Sequence, residues 1–309
     1  MELSKIINHL FPDKNPSITK IRTGKFNESY FVNNNGKKYV VRIAPPPNTP
    51  VLFYEKNMMQ REPTIHSLIL EKTHVPVAEI IEYDFSGSII PNNWLLMKRL
   101  EGNALSEISL WGRNLDKLFF KLGKSVREVH NIKNNSFGYL KKSGLEPSEK
   151  NWYDAFLKMW SRLLDNIRDT NLYSDNNVSW LIKLLEKNKI YFNHNPEPTL
   201  LHMDIWGQNI LTDQNGELTG IVDWDRSLWG DPEIEFSVLE YCGICKSSFW
   251  EGYGKNPEIT KDYKIRQLFY FLYEHQKYIY IRSMRNNSWD IAKKYAYESL
   301  NIAKQLENI

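Results

Sequence analysis

Residues 200–225 place the tightest constraints on how this chain can fold. Two short apolar runs, 210–211 and 218–222, flank Asn215-Gly216, a pair that supplies the positive φ angles of a tight hairpin turn. The polar segment His202-Met203-Asp204-Ile205-Trp206-Gly207-Gln208-Asn209 precedes this hairpin, and Ile221-Val222-Asp223-Trp224-Asp225 ends it. Because a hairpin returns the chain to the edge where it began, we expect Asn209 and Asp223 to lie side by side.

The residue types in this segment suit phosphoryl transfer. That reaction asks mainly for in-line positioning and for cancellation of the charge on the phosphates. One carboxylate must face the attacking hydroxyl, while a second carboxylate and an amide oxygen can hold Mg²⁺, which prefers oxygen ligands. Asp204 suits the first task, and Asn209 and Asp223 suit the second.

The order of predicted elements indicates an α+β protein. Runs of β-branched and aromatic residues at 20–22, 28–32, 37–43, 80–83 and 94–97 predict strands, with a hairpin turn at Asn35-Gly36. Between them, a helix is expected over 53–72, with Glu62 in its middle and a kink at Pro63. After Gly102, apolar residues at helical spacing predict helices over 115–130, 151–165, 179–187, 264–283 and 289–307. The boundary between a strand-rich and a helical lobe is a natural place for a ligand cleft.

Composition excludes several classes of protein. Lys and Arg number 40 against 37 Asp and Glu among 309 residues, and no basic block is dense enough to follow a nucleic acid backbone. No stretch approaches the roughly 20 apolar residues of a membrane span. Two cysteines alone, Cys242 and Cys245, fit a reducing cytoplasm. Structural zinc takes about four ligands, so we interpret this pair, which is expected within a helix, as two plain thiols.

Taken together, these motifs resemble the aminoglycoside phosphotransferase and choline kinase-like family, relatives of the protein kinases. The resemblance extends from about Ile18 to the last helices and includes Gly230-Asp231-Pro232, in which the aspartate is mainly structural. It implies that Asp204 is the catalytic residue and that Asn209 and Asp223 are metal ligands. It also implies a bilobal protein-kinase-like fold, with a small antiparallel-sheet lobe at 1–98 that binds nucleotide. A helical lobe at 99–309 would carry the catalytic loop, the metal site and the acceptor pocket.

The resemblance further implies ATP and Mg²⁺ as cofactors and assigns a nucleotide site. Arg42 matches the cation that binds phosphate, where protein kinases have lysine, and Glu62 matches its ion-pair partner on a helix. The segment 95–102 resembles the hinge that adenine lies against, with the backbone of Lys98 and Leu100 binding the base. The loop at 23–29 is either a phosphate loop or a simple surface turn. The expected nucleotide-site residues are Arg42, Glu62, Gly24, Asn27, Ser29, Met97, Lys98 and Leu100.

The acceptor stays open at this point. Met203 stands where many members of the family have glycine, and Trp206 is bulky, so both can shape the acceptor pocket. The acid-rich segment 225–251 is either a pocket for a cationic acceptor or a solvated helix face; Asp225 either supports the metal site or, as we expect, caps the following turn. The small hydroxyl acceptor is an aminoglycoside or another antibiotic, or else a metabolite such as choline, an amino alcohol or a sugar. A catalytically inactive kinase-like protein that binds a ligand is the rival interpretation.

Overall fold

A computed structural model describes residues 2–24, 26–109, 115–140 and 148–307. Contacts divide the chain into two units. The first unit comprises Met1–Thr49, Asn57–Leu118 and Gly207–Asp225, and the second comprises Pro50–Lys56, Phe119–Trp206 and Arg226–Ile309. These units differ from the predicted lobes, because residues 99–118 and 207–225 belong to the first unit and residues 50–56 belong to the second.

An antiparallel five-stranded sheet with the order β1-β2-β3-β5-β4 frames the first unit. The predicted turn between β2 and β3 forms with Asn35 and Gly36 at φ angles of 52° and 82°. This is the pair of positive angles that an Asn-Gly hairpin requires. The bounds of the strands are β1 Ser17–Ile21, β2 Glu28–Asn34, β3 Lys37–Ile43, β4 Ile80–Asp84 and β5 Trp94–Lys98.

The two-residue period of β3 separates a core face from a cavity face. Val41 and Ile43 pack with Ile6 and Ile7 of helix α1, Glu2–Leu10, in a buried apolar cluster. Because successive side chains in a strand point to opposite faces, Val40 and Arg42 lie on the other face. Arg42 is nevertheless buried, so the fold must supply partners for its charge.

Helix α2, Glu62–Lys72, begins later than the sequence predicted. The expected helix over 53–72 is wrong in its first half, where a short 3₁₀ turn covers Met58–Arg61. Pro63 falls in the first turn of α2, where its missing N–H has no partner to lose, so it starts a helix instead of kinking one. Glu62 therefore stands at the start of the helix.

A second, three-stranded sheet in the first unit carries the predicted hairpin. Its order is β10-β9-β6, with β6 at Asn103–Ala104, β9 at Ile210–Thr212 and β10 at Leu218–Ile221. Gly102, with a φ of 101°, precedes β6, and a Cβ atom there would lie 2.7 Å from the carbonyl oxygen of Thr212. Glycine is therefore required where the chain leaves the hinge.

Helices dominate the second unit, as the periodicity predicted. Their apolar faces meet in one large buried cluster that includes Trp160, Phe269 and Leu201. Cys242 follows α6 instead of lying within it, and both cysteines are free and half-buried. The helices are α3 Asp116–His130 (which starts in the first unit), α4 Trp152–Arg168, α5 Asp175–Lys187, α6 Pro232–Tyr241, α7 Ser247–Tyr253, α8 Lys261–Tyr280 and α9 Trp289–Glu307. A small sheet is formed by β7 Gly138–Tyr139, β8 Thr199–Leu201 and β11 Leu228–Gly230.

Among the described helices, none combines the length and the apolar character that crossing a bilayer demands.

Candidate active site

The hairpin places the two predicted metal ligands at one edge. The backbone N–H of Val222 donates to the carbonyl oxygen of Asn209 at 3.0 Å. Asn209 precedes β9 and Asp223 follows β10, so both residues lie at the open end of the hairpin. Asp223 has a φ of 69°, a left-handed conformation that aspartate tolerates better than most residues. Both side chains line the same cavity.

This cavity has a volume of about 250 Å³ and lies entirely within the first unit. Val40 and Ala78 contribute apolar wall to the cavity. Lys25 of the expected phosphate loop lies outside the described residues. The cavity wall includes these residues predicted for the site: Gly24, Asn27, Ser29, Arg42, Met97, Lys98, Leu100, Asn209 and Asp223.

Arg42 joins three carboxylates. Its NH1 donates to Oε2 of Glu62 at 2.5 Å, and its NH2 donates to Asp223 at 2.6 Å and to Asp225 at 3.3 Å. Burial lowers the pKa of Arg42, but the carboxylates, Glu62 first, raise it by more, so the pKa lies well above the usual arginine value. The cation is therefore permanent, and the expected pair of Arg42 and Glu62 forms although Glu62 is fully buried.

Asp225 lies beside the Arg42 cation. Its Oδ2 accepts hydrogen bonds from Arg42 and, at 3.3 Å, from the side-chain amide of Asn27. Asp225 and Asn27 are both buried, so the bond ties the 23–29 loop to the cation. In the same loop, a Cβ atom on Gly24 would lie 3.1 Å from the carbonyl oxygen of Asn27. Gly24 and Asn27 therefore lie close together in the wall of the cavity.

The hinge segment offers one backbone edge to the cavity. The N–H of Lys98 donates to the carbonyl oxygen of Glu79 at 2.9 Å, so the carbonyl of Lys98 is the group that could meet a base. The N–H of the next residue, Arg99, donates to Lys38. Met97 forms part of the cavity wall and packs beside Leu95 and Met59.

His66 is a cavity residue that sequence reasoning missed. Its Nδ1 lies 2.7 Å from the carbonyl oxygen of Ala78, which can only accept, so Nδ1 carries a proton. Its Nε2 lies 3.6 Å from Oε2 of Glu62 and makes no hydrogen bond within the described residues. The available signal was the four-residue spacing from Glu62, which puts both side chains on one face of α2.

Asp204 belongs to the second unit, where Arg226 holds it. NH1 of Arg226 donates to Oδ1 of Asp204 at 3.0 Å, and NH2 donates to Glu274 at 3.1 Å. Lys277 donates to the other oxygen of Glu274 at 2.6 Å. Burial raises the pKa of Glu274, but Arg226 and Lys277 lower it by more, so its pKa falls below the usual glutamate value. Two acids and two bases therefore form a balanced, largely buried cluster.

The guanidinium of Arg226 also packs on an aromatic ring. Its guanidinium lies 5.1 Å from the ring centroid of Tyr54, and Tyr54 stacks on Tyr139 at 5.4 Å. Burial lowers the pKa of Arg226, but Glu274 and the neighbouring groups raise it well above the usual value. No motif in the sequence singled out Arg226, because it follows Asp225 in an otherwise ordinary turn.

Four acids of the acid-rich segment have partners within the protein. Asp225 accepts from Arg42, and Glu235 lies 2.7 Å from Nε2 of His130. Arg266 donates to both carboxylate oxygens of Glu233, from Nε at 2.7 Å and from NH2 at 2.9 Å. Asp231 caps α6 by accepting from the N–H of Glu233, which is the structural role that the resemblance implied.

Comparisons with known proteins give the family of this chain. The model of the phosphotransferase enzyme family (APH) matches residues 17–251. A Vibrio vulnificus protein named "Probable ketoamine kinase" is 23% identical over 274 residues, which are 81% of this chain and 81% of that protein. Ketosamine-3-kinase of Mus musculus is 23% identical over 276 residues, 81% of this chain and 84% of its own length.

A solved structure gives the fold. A ternary complex of a thermostable mutant of aminoglycoside phosphotransferase APH(4)-Ia with AMP-PNP and hygromycin B has a TM-score of 0.69 at 17% identity and covers 98% of both chains. The predicted bilobal, protein-kinase-like α+β fold is confirmed.

Proposed function

Because the chain belongs to the phosphotransferase enzyme family, we propose that it transfers the γ-phosphate of ATP to a sugar hydroxyl of a ketoamine. The chain is an ATP-dependent phosphotransferase with an alcohol group as acceptor. One observation carries the choice of acceptor. The Vibrio and mouse relatives, which align over 81% of this chain, are both named for ketoamine or ketosamine substrates.

The base of ATP fits the hinge by its hydrogen-bonding edge. The carbonyl of Lys98 would accept from the exocyclic amine of adenine, and the N–H of Leu100 would donate to the neighbouring ring nitrogen. Guanine presents an acceptor and a donor in the reverse order along that edge, so the same pair opposes it. Met97 and Val40 supply apolar surface for the ring.

Arg42 is the proposed phosphate cation. Glu62 holds its NH1, while NH2 is shared between Asp223 and Asp225. When Asp223 turns to a metal ion, NH2 loses that partner and can donate to a phosphate oxygen. Asp225 and Glu62 keep the guanidinium in place during this exchange.

Asn209 and Asp223 fit Mg²⁺ by their chemistry. Both carry oxygen donors on the cavity wall, and the side chain of Asp223 is 38% exposed, so the carboxylate is accessible to an ion. Bound there, Mg²⁺ would neutralise charge on the triphosphate. Asn209 and Asp223 themselves supply two ligand oxygens at the end of the β9–β10 hairpin.

Asp204 is the proposed base for the acceptor hydroxyl. Arg226 donates to its Oδ1 and fixes the carboxylate, which would orient the hydroxyl and receive its proton as the oxygen attacks phosphorus. The side chain of Asp204 is 28% exposed, so a small substrate can reach it. The carboxylates of Glu233, Glu235 and Glu274 are paired internally and are not assigned to the acceptor.

Transfer to a defined acceptor tests this proposal. We would incubate the protein and MgATP with fructosyl-lysine, and in parallel with hygromycin B, kanamycin and choline, and measure ADP release and phosphate on the product by mass spectrometry. We expect turnover with fructosyl-lysine. Asp204→Asn, which keeps the volume but not the base, should remove that turnover.

Thermal unfolding with nucleotide separates the possible failures. Stabilisation by MgATP together with transfer to an aminoglycoside and not to fructosyl-lysine would refute the ketoamine acceptor alone. Neither stabilisation nor transfer would refute the nucleotide site as well, and would favour an inactive kinase-like protein. MgGTP serves as the matched nucleotide and is expected to stabilise less.

A further inference from the structure

The hydrogen bonds of Arg226 do not account for how its whole guanidinium is held. NH1 donates to Asp204 and NH2 to Glu274, whereas the buried Nε has no hydrogen-bond partner in the part of the chain that the structure describes. An arginine carries five N–H donors in one rigid plane, and bonds from two of its nitrogens do not by themselves stop that plane from tilting. Because Arg226 donates directly to the proposed base, a tilt of the plane would move the carboxylate of Asp204.

An aromatic ring lies against this plane. Cζ of Arg226 is 5.1 Å from the ring centroid of Tyr54, and the Tyr54 ring stacks on that of Tyr139 with 14° between the two planes. A guanidinium over a ring is attracted to its negative face, more strongly where water is excluded. Tyr54 is 2% exposed, and burial raises the pKa of its hydroxyl by more than Arg226 lowers it, so the ring stays neutral. The ring therefore acts on Arg226 through its face and not as a phenolate.

Tyr54 lies in a loop, the segment 50–56. This segment follows β3 and precedes α2 in the chain, yet it belongs to the second unit. Loops are usually more mobile than the elements they connect, so a loop residue can position another side chain only if it is anchored. The backbone N–H of Leu52 donates to the carboxylate of Glu55 at 2.8 Å, and the N–H of Glu55 donates to the carbonyl of Leu52 at 2.9 Å. These two bonds close a turn around Tyr54.

Two elements of the second unit anchor this turn. The N–H of Phe53 donates to the side-chain oxygen of Asn166 in α4 at 2.9 Å. Arg285 donates to the carboxylate of Glu55, and it is the last residue of a π turn, Ile281–Arg285, that follows α8. Single π turns are rare and are frequently found at functional sites. The ring of Tyr54 is therefore held from α4 and from the end of α8.

We propose that Tyr54, anchored in the segment 50–56, is a positioning residue that holds the guanidinium of Arg226 in the orientation that aims Asp204. Its effect on turnover rests on the proposed function of Asp204, whereas its effect on Arg226 does not. A purely structural role for Tyr54 would lower stability alone. A positioning role lowers kcat and leaves the affinity for ATP unchanged, because the proposed nucleotide cavity lies within the first unit.

Substitutions that keep or remove the ring face separate these two roles. Tyr54→Phe keeps the face and should retain kcat within twofold of wild type. Tyr54→Leu keeps an apolar side chain without the face, so we expect kcat to fall at least fivefold while KM for ATP changes less than twofold. The kinetics are measured at a temperature well below the Tm of each variant. Equal values of kcat in Tyr54→Leu and Tyr54→Phe would overturn the proposal.

Tyr173→Leu is the matched control. Tyr173 is also 2% exposed and belongs to the same buried cluster, and its hydroxyl accepts from Gln276 at 3.2 Å. The same loss of packing there should lower Tm and leave kcat within twofold of wild type. A fall in kcat as large as that of Tyr54→Leu would show that lost packing explains both effects, and the proposal would be wrong.

A double variant tests the route through Arg226. In an Arg226→Met background no guanidinium is left to hold, so Tyr54→Leu should lower kcat by less than a further twofold. An undiminished loss in that background contradicts the mechanism.

Proton exchange at Arg226 gives a readout that needs no acceptor. The NMR signal of its Nε–H is assigned by its loss in Arg226→Met. Its exchange with water should quicken at least tenfold in Tyr54→Leu and stay within twofold of wild type in Tyr54→Phe and Tyr173→Leu. This readout holds even if fructosyl-lysine is not the acceptor, whereas unchanged exchange in Tyr54→Leu overturns the inference by itself.

Arg285→Met tests the anchor and serves if Tyr54→Leu does not fold. It removes the donor to Glu55 and leaves the ring of Tyr54 in the chain. We expect exchange at Nε of Arg226 to quicken at least threefold and kcat to fall by a similar factor, with KM for ATP within twofold of wild type. Wild-type exchange and wild-type kcat in Arg285→Met would refute the anchoring that the proposal requires.

Discussion

Replacing Arg226 by methionine removes the guanidinium that joins the proposed base to the core of the second unit. Methionine keeps an unbranched chain of similar bulk, so the change deletes charge and hydrogen bonds more than volume. In the wild type, Arg226 donates to Asp204 at 3.0 Å and to Glu274 at 3.1 Å, and its side chain is 9% exposed.

The expected loss of stability follows from what each acid retains. Removing one partner of a buried ion pair costs about 3–5 kcal/mol. Glu274 keeps the bond from Lys277, and Asp204 is 28% exposed and can be hydrated, so we take the lower end, about 3 kcal/mol. For a unit of this size that corresponds to a fall in Tm of about 6–12 °C. Arg226→Lys keeps a charge that can reach one acid and should lose about half as much.

The catalytic effect should exceed what lower stability explains. Without the bond from Arg226, Asp204 samples several rotamers, and we expect kcat to fall at least tenfold at temperatures well below Tm. In an Asp204→Asn background, Arg226→Met should add no further loss of kcat, because both changes remove the same oriented base.

Calorimetry and steady-state kinetics on the four proteins of this cycle check the reasoning. A Tm within 2 °C of wild type would refute the energetic argument. Additive losses of kcat in the double variant would show that Arg226 acts on the reaction by some route other than Asp204.

Other perturbations test the remaining groups. Asp204→Ala should lower kcat by about 10²–10⁴-fold and leave ATP affinity, measured by isothermal titration calorimetry, nearly unchanged. Asp223→Ala should abolish the Mg²⁺ dependence of nucleotide binding; if the same titration shows that dependence intact, the metal assignment is wrong. Burial raises the pKa of Tyr173 to about 12, so its contribution to stability is complete below pH 10 and is lost as pH rises toward 12. Between pH 10 and 12 the free energy of unfolding of the wild type should therefore fall by about 1.4 kcal/mol per pH unit on account of Tyr173. Tyr173→Phe should lack this part of the fall, which thermal unfolding measured across that pH range would show. In Gly252→Ala a Cβ atom would lie 1.9 Å from the carbonyl oxygen of Phe120, which should cost about 3 kcal/mol in thermal unfolding experiments.

The strand and hairpin patterns predicted much of this fold because their signals are local. The Asn35-Gly36 turn, the strands on either side of it and the final helix at 289–307 follow from turn chemistry and apolar period. The start of α2 was misjudged because proline has two opposite meanings in a helix, and residue type alone does not say which applies. Here α2 begins at Glu62, so Pro63 lies in its first turn.

The roles of individual site residues remain predictions, yet the structure shows which kinds of residue a motif can reveal. Asn209 and Asp223 were predicted from their spacing along the chain, and Arg42 was predicted from the family resemblance. His66 was missed, and Asp225 was left between two roles, because each has an ordinary alternative as a core histidine or a turn cap. Their contacts with Glu62 and Arg42 arise only after folding.

The residues that brace Asp204 lie beyond motif reasoning for a physical reason. The bond from Arg226 to Asp204 spans 22 residues, and the one from Arg226 to Glu274 spans 48. Contacts of that separation depend on how helices pack, which no local pattern encodes.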